Sequence, residues 1–399
     1  MNSRLVELRR RISAQGIHAA LLLHPRDVLY YAGTARPASL LVVADSDVAR
    51  SGQLSSAPLA ILFVRRALEH VRLEATVDRV ESIRGFSDIA ATFAEFGLES
   101  GVLGTTLDVI PAQLYRRLKD AFAAWELTDV SSSVLDQRAV KDDEEIAATK
   151  RAAAVADVGH RALPGAAAPG VSELELAAEV ERAMRLAGHE AYQPLRQPEA
   201  RGGGVLLISG ENLAVRGGHG LVVTGVGLSP AAPYGPSRRE LREGDLIVLD
   251  IGSACAGYTA DESRTFVLGQ PAQMQQALFA VTRETEDAVL DSLHPGLPVS
   301  DVYAAAQTVV NQGALPFFAP GSLTLPGFIG HGIGLELDEP PILWPRAETC
   351  LREGMVLAIE VEVSAPEVGL MTKLEDTVVI RSHGCEVLTH APRDLIECP

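Results

Sequence analysis

Asp250 interrupts an otherwise apolar run, Leu246 to Ile251, and Asp261 follows beyond a turn rich in Gly, Ala and Ser. A turn centred on Cys255–Ala256 predicts the two aspartates directly opposite on paired strands, with Cβ atoms about 4.5–5.5 Å apart. Like charges that close are unfavourable, and a carboxylate in a buried strand needs a cationic partner or a metal. The pattern recurs near the C-terminus. Glu360 lies in the run Met355 to Val363 and Glu375 in Leu370 to Ile380, and a turn at Glu367–Val368 predicts that these glutamates also face each other. His331 stands between the hairpins in Gly330–His331–Gly332–Ile333–Gly334, where the glycines permit close backbone approach. Four carboxylates with one imidazole suit Mn²⁺ first, with Co²⁺, Zn²⁺ or Fe²⁺ as alternatives. They exceed the need of one divalent ion, so two are expected. Paired ions about 3.5–4 Å apart bring a bound water to a pKa of about 7, which makes it a nucleophile at neutral pH.

The elements that must position these residues follow from periodicity. The first ~127 residues alternate helix-like and strand-like segments, as an α/β unit does. Leu5, Leu8 and Ile12 recur at helical spacing, and His18 to Leu23, Leu40 to Ala44 and Leu59 to Val64 read as buried strands. Leu114 to Ala123 reads as a helix and Thr128 to Ser133 as a linker. Beyond it, Asp142 to Leu163 is acidic first and alanine-rich after, and Ser172 to Glu175 is a capping box that opens a helix closed by Gly188. Strands are expected at Val205 to Ile208 and Leu221 to Val223, then helices at about Ala272 to Leu293 and Val299 to Gln312, then strands again.

Composition bounds the function. The 399 residues are 47% hydrophobic and 22% charged, ordinary for a folded chain of two domains. With 35 basic and 52 acidic residues the net charge is −17, which opposes nucleic acid and anionic membranes. Cys255, Cys350, Cys385 and Cys398 form no C-x-x-C pair and suit free thiols in a reducing compartment. Neither a signal-peptide core nor a run of ~18–20 apolar residues appears, so a cytoplasmic protein is expected.

The ordered set Asp250-x-Gly252, Tyr258-x-x-Asp261-x-Ser263–Arg264–Thr265, Gly330 to Ile333, Met355 to Glu360 and Glu375–Asp376–Thr377 resembles the pita-bread metallopeptidases. That family includes methionine aminopeptidase, aminopeptidase P, prolidase and creatinase. Arg138 to Lys141 with Glu145–Ile146 resembles the start of their catalytic domain, and Leu21 to Gly33 resembles the creatinase-type N-terminal domain. The resemblance implies an α/β (α+β) chain, with a creatinase-like domain at 1–130 and a pita-bread domain with an antiparallel sheet at 131–399. It implies that Asp250 binds one metal, that Asp261 and Glu375 bridge two, and that His331 and Glu360 bind the other. Glu360 would also handle the nucleophile's proton. The implied activity is cleavage of short peptides at Xaa-Pro bonds, in a homodimer, through a water bridging the metals.

Three positions depart from the prolidase pattern. Pro233 stands where a substrate-contacting histidine is usual, Asp338 where a second histidine is usual, and Lys373 where an arginine is usual. His219 is a candidate replacement histidine, Asp338 a candidate proton acceptor or amine-binding group, and Tyr234 and Lys373 candidate substrate contacts. Tyr258 and Arg264 read as supports. Two other functions stay open: the same metals acting on a non-peptide amide or as a lyase, and a non-catalytic binding module.

Overall fold

A computed structural model describes residues 2–45, 60–95, 98–191, 193–196, 204–216, 222, 224–313 and 316–399. The chain divides into two compact units, Met1–Arg138 and Ala139–Pro399. In the first, a six-stranded sheet has the order β4-β3-β2-β1-β5-β6, built from β1 (Ala19–Leu22), β2 (Ala38–Val43), β3 (Ala60–Val64), β4 (Arg79–Ser82), β5 (Gly101–Thr105) and β6 (Trp125–Asp129). β2 runs antiparallel to both β1 and β3, and the remaining pairs are parallel. Leu21, Leu41, Ile61, Phe63, Phe93 and Phe122 form its core. The helix Ser3–Ala14 buries Leu5, Leu8 and Ile12 as the spacing predicts, and the Asn2 side chain caps it by accepting from the Arg4 and Leu5 amides. Thr128 to Ser133 is not a linker. Thr128 and Asp129 end β6, and the helix Ser131–Ala139 begins two residues later. Their polarity reflects capping: Asp129 Oδ1 accepts from the Ser131 amide at 3.0 Å.

The second unit holds a nine-stranded sheet. Its main path is β11-β10-β12-β13-β9-β8-β7, with β14 on β13 and β15 on β9. The strands are β7 (Leu206–Ser209), β8 (Leu246–Cys255), β9 (Tyr258–Leu268), β10 (Gly330–Gly332), β11 (Glu339–Ile342), β12 (Val356–Ala365), β13 (Leu370–Ile380), β14 (Cys385–Val387) and β15 (Ile396–Cys398). All pairs but β15 with β9 are antiparallel. Capping boxes at Asp142 and Ser172 start the helices Asp143–Ala162 and Glu173–Leu186. The expected strand at Leu221 to Val223 lies outside the described residues, since 221 and 223 are not among them.

One face of this sheet is apolar. Ile247, Leu249 and Ile251 pack on Val155, Leu176 and Val180 of the two capped helices. Leu357 and Ile359 pack on Val289 and Val302, and Val361 and Val363 on Leu278 and Val281. Alternation along the strands then sends their neighbours, Asp250 and Glu360 among them, to the opposite face.

The first hairpin turns one residue later than the sequence predicts. Ala256 and Gly257 both take positive φ, 54° and 79°, and Cys255 pairs with Tyr258. This is the two-residue turn whose twist matches the flanking strands, and the glycine supplies one of its left-handed positions. Asp250 therefore faces Ser263, and Asp261 faces Gly252. The slip is two residues, so both aspartates keep the predicted face but sit diagonally, about 7–8 Å apart in the backbone. The second hairpin has the predicted register, with Glu360 opposite Glu375.

Leu249→Ala should lower stability by about 2–5 kcal/mol, because it opens a cavity on the helix-covered face. Urea unfolding measures this. A loss below about 0.5 kcal/mol, typical of surface sites, would contradict the assignment of that face.

Candidate metal centre

Register alone builds a row of side chains across four strands. Asp250 of β8 pairs with Ser263 of β9, Ser263 with Glu375 of β13, and Glu375 with Glu360 of β12. Ser263 is the one neutral member, and its hydroxyl donates to Glu375 Oε2 at 2.6 Å. Asp261, two residues before Ser263, shares the face, and so does Lys373, two residues before Glu375. The Lys373 ammonium is buried among the acids. Its Nζ lies 2.7 Å from Asp250 Oδ2, 3.0 Å from Glu360 Oε2 and 3.2 Å from Glu375 Oε2. The expected substrate-contacting role differs from this placement: the flexible stem of Lys373 carries its charge into the row of acids, where it donates to Asp250 and faces both glutamates. Its pKa stands well above the usual lysine value. Burial alone would lower it, and Asp250, Glu360, Glu375 and Asp261 outweigh that.

His331 reaches the site from β10. Gly330 has φ 150°, and a Cβ there would meet the Ala358 carbonyl oxygen at 2.2 Å, so only glycine lets the strand approach β12 this closely. The His331 Nδ1 lies 3.0 Å from the Gly332 carbonyl oxygen, which can only accept. Nδ1 therefore carries a proton, and Nε2 is left for the site. Nε2 is 3.3 Å from Asp338 Oδ1, 3.7 Å from Glu360 Oε1 and 3.9 Å from Asp261 Oδ2. Burial lowers the imidazole pKa, but Asp338, Glu360 and Glu375 raise it more, and the net direction is up.

The donor set fits a divalent cation. One ligand atom each from Asp261, His331 and Glu375 lie within 4.8 Å of one another, and all three residues are buried. Atoms about 2.0–2.2 Å from a shared ion lie roughly 3–4 Å apart, and the His331 Nε2 contacts to Glu360 and Asp261, 3.7 and 3.9 Å, fall in that range. Glu375 Oε1 is buried and takes no hydrogen bond. Burial raises the Glu375 carboxyl to about 7, with Lys373 pulling it down and Glu360 and Asp250 adding to the rise. Burial, then Glu375 and Asp250, likewise pushes Asp261 well above the usual carboxylate range. Both shifts describe acids short of positive charge.

The opposite face props the row. Arg264 is fully buried, donates from Nη1 to the Glu375 carbonyl oxygen at 2.6 Å, and pairs through Nη2 with Asp376 at 2.7 Å and Glu262 at 2.8 Å. The Tyr258 hydroxyl donates to Glu145 Oε1 at 2.7 Å. Both thus act on the backbone or scaffold around the row, as expected of supports.

Beside the row opens a cavity of about 340 Å³, whose walls include Gln193, Pro233, Tyr234, Asp250, Asp261 and Asp338. Tyr234 and Asp338, two predicted candidates, thus share a wall with two predicted ligands. Asp338 is half-exposed and also touches His331. His219 lies outside the described residues. Gln193 was not foreseen. Its carboxamide donates to the Gly252 carbonyl oxygen, within the first metal strand. A lone glutamine outside any motif carries no sequence signal. Among the described residues, no helix is long and apolar enough to cross a membrane.

Residues 147–382 match the model of metallopeptidase family M24, and residues 4–140 match the creatinase/prolidase N-terminal domain. The chain is 25% identical over 401 residues to the Xaa-Pro dipeptidase of Pyrococcus horikoshii, covering 99% of both chains. An Xaa-Pro dipeptidase structure from Bacillus anthracis superposes with TM-score 0.81 at 25% identity, covering 99% of both. The prolidase structure from Pyrococcus horikoshii OT3 shares the fold, with TM-score 0.79 at 24% identity over 99% of this chain and 100% of that one.

The metal-free protein should lose stability as pH rises. The folded Glu375 holds its proton up to about 7, whereas the unfolded chain releases it near 4.5, so unfolding releases protons in that window. Asp261 acts in the same direction. Bound Mn²⁺ should remove the part of this decline that Glu375 and Asp261 contribute, because an ion favours the ionised acids. Melting temperatures across pH 4.5 to 7, with Mn²⁺ and with a chelator, test it. Identical slopes in both would count against metal binding by these acids.

Proposed function

The chain belongs to metallopeptidase family M24, and on that premise we propose that it hydrolyses short peptides at Xaa-Pro bonds. The observation that carries this is the convergence of Asp261, His331 and Glu375 beside a cavity of about 340 Å³. That volume is at the small end of ligand pockets, about 300–1,000 Å³, and suits a short peptide. The names of the Pyrococcus horikoshii and Bacillus anthracis relatives support proline as the residue after the cleaved bond.

Asp261, His331 and Glu375 are proposed as ligands, with Asp250 and Glu360 completing the set and Mn²⁺ as the ion. A divalent ion there supplies Lewis acidity and a nucleophilic water. The chain's own residues do the rest. Glu360 is proposed to take the water's proton, and its Oε1, 3.7 Å from His331 Nε2, supports this. A bond before proline has no amide hydrogen to satisfy, so the wall facing it needs no acceptor. Pro233 and Tyr234 offer such a wall. Asp338 reaches the same cavity and is proposed to hold the substrate's amino group or pass a proton to the leaving nitrogen. His219 is proposed to add a histidine from its glycine-rich segment. Four free cysteines and a net charge of −17 support a cytoplasmic enzyme, and the shared N-terminal domain supports a homodimer.

The Mn²⁺-loaded protein should release proline from Ala-Pro, and Asp261→Asn should lower turnover by more than the about 10–100-fold typical of outer-shell changes. Near-normal turnover in Asp261→Asn would refute the ligand assignment. Absence of turnover on Ala-Pro and on a proline-containing tripeptide, with metal bound, would move the substrate to another amide. A second measurement concerns Asp338→Ala. It should raise KM for peptides with a free amino terminus more than for N-acetylated ones, and an equal effect on both would remove Asp338 from amine recognition.

A further inference from the structure

Five ligand positions invite two divalent ions, yet one cation already stands in the row. Lys373 Nζ contacts Asp250 Oδ2 at 2.7 Å, Glu360 Oε2 at 3.0 Å and Glu375 Oε2 at 3.2 Å. Its side chain is only 4% exposed, so the ammonium is held by these acids and not by bulk solvent. A protonated lysine has three donors and no acceptor, and here it donates to Asp250 Oδ2 and lies within ion-pair distance of both glutamates. It offers no lone pair to a metal. Asp250 is the ligand most affected. It sits diagonally from Asp261 across the β8–β9 pair, and Lys373 occupies the gap between it and the two glutamates. The remaining group, Asp261, His331 and Glu375, is the only set of three possible ligands found among the described residues. Glu375 Oε1 in that group takes no hydrogen bond, while Oε2 faces Ser263 and Lys373. The two oxygens thus differ: Oε2 is engaged by the ammonium and the Ser263 hydroxyl, and Oε1 is left for an ion.

We propose that Lys373 takes the place of one of two ions, so that the centre carries a single divalent ion on Asp261, His331 and Glu375. The proposal rests on the metal-dependent reading above. It assigns Lys373 a positioning role: the ammonium holds Asp250 and Glu360 in place and leaves one ion to act on substrate.

Metal stoichiometry tests it without reference to turnover. The metal-stripped full chain is titrated with Mn²⁺ by calorimetry, and bound metal is measured after dialysis against excess Mn²⁺. One equivalent per chain is expected, with the electron-spin-resonance signal of an isolated Mn²⁺. Two equivalents, or the signal of a coupled pair, would overturn the proposal. No binding would overturn the metal-dependent reading itself, a different result. Lys373→Met removes the charge and keeps the length, and it should take up a second equivalent because Asp250 is released. A Lys373→Met protein that folds, judged by circular dichroism, and still binds one equivalent would also overturn the proposal. Lys373→Gln serves if the methionine variant does not fold, with the same expected second equivalent, and the wild-type count decides in any case.

Discussion

Repulsion among acids gathered on one face of a sheet is the constraint around which the second unit is organised. Strand pairing brings Asp250, Glu375 and Glu360 into a single row, with Asp261 diagonal to it. Nothing in a sheet's own hydrogen bonding offsets that charge, since the strands satisfy their amides along the ladders. The offset comes from elsewhere: from Lys373 in the row, from the Ser263 hydroxyl, from the His331 ring, and from the ion the acids are arranged to accept. The apolar side of the same strands supplies the stability that lets such a row persist, through helices packed on Leu249, Ile251, Ile359 and Val361.

The helix-covered side is not wholly apolar. Arg264, Glu262, Asp376, Glu286 and Arg393 form a buried network beneath the row. Glu286 is pushed up to about 8, by burial first and by Asp376 next, against the pull of Arg393. Removing one partner from such a network leaves a buried charge unmatched, which is far worse than losing the pair as a whole. Because Arg264 also holds the Glu375 carbonyl oxygen, the network fixes the β13 backbone at the residue whose side chain is proposed as a metal ligand. Charge below the sheet thereby steadies charge above it.

Much of this was legible in the sequence. An acid inside an apolar run is a strong signal, and two hairpins bearing such acids, with a glycine-flanked histidine between them, specify a face. The face was read correctly even where the register was not, because a two-residue slip preserves it. The turn at Ala256–Gly257 was missed because an alanine with positive φ has no local signature. Thr128 to Ser133 misled because the polar residues that cap a helix are also those that fill linkers. Lys373 was expected at the substrate and stands among the acids instead, since a four-carbon stem does not reveal where its charge ends. Gln193 and the cavity wall come from segments with no periodicity, which only tertiary structure brings to the row.

Parity governs how this hairpin can change length. One residue inserted within β9, with the turn unchanged, would exchange the faces of the strand beyond it, sending Asp261 and Ser263 among the helices and Glu262 and Arg264 toward the cavity. Two residues inserted there would slide the strand yet keep every side chain on its own side. Insertions and deletions within the paired strands between Asp250 and Asp261 are therefore compatible with this site only in even steps, whereas the turn itself can lengthen without exchanging faces. Odd ones must be absorbed by a bulge that restores the alternation. The same rule holds between Glu360 and Glu375, where Gly369, at φ 65°, closes a longer return than the first hairpin's. Drift in length is thus channelled out of the paired strands and into the turns and connections that join them.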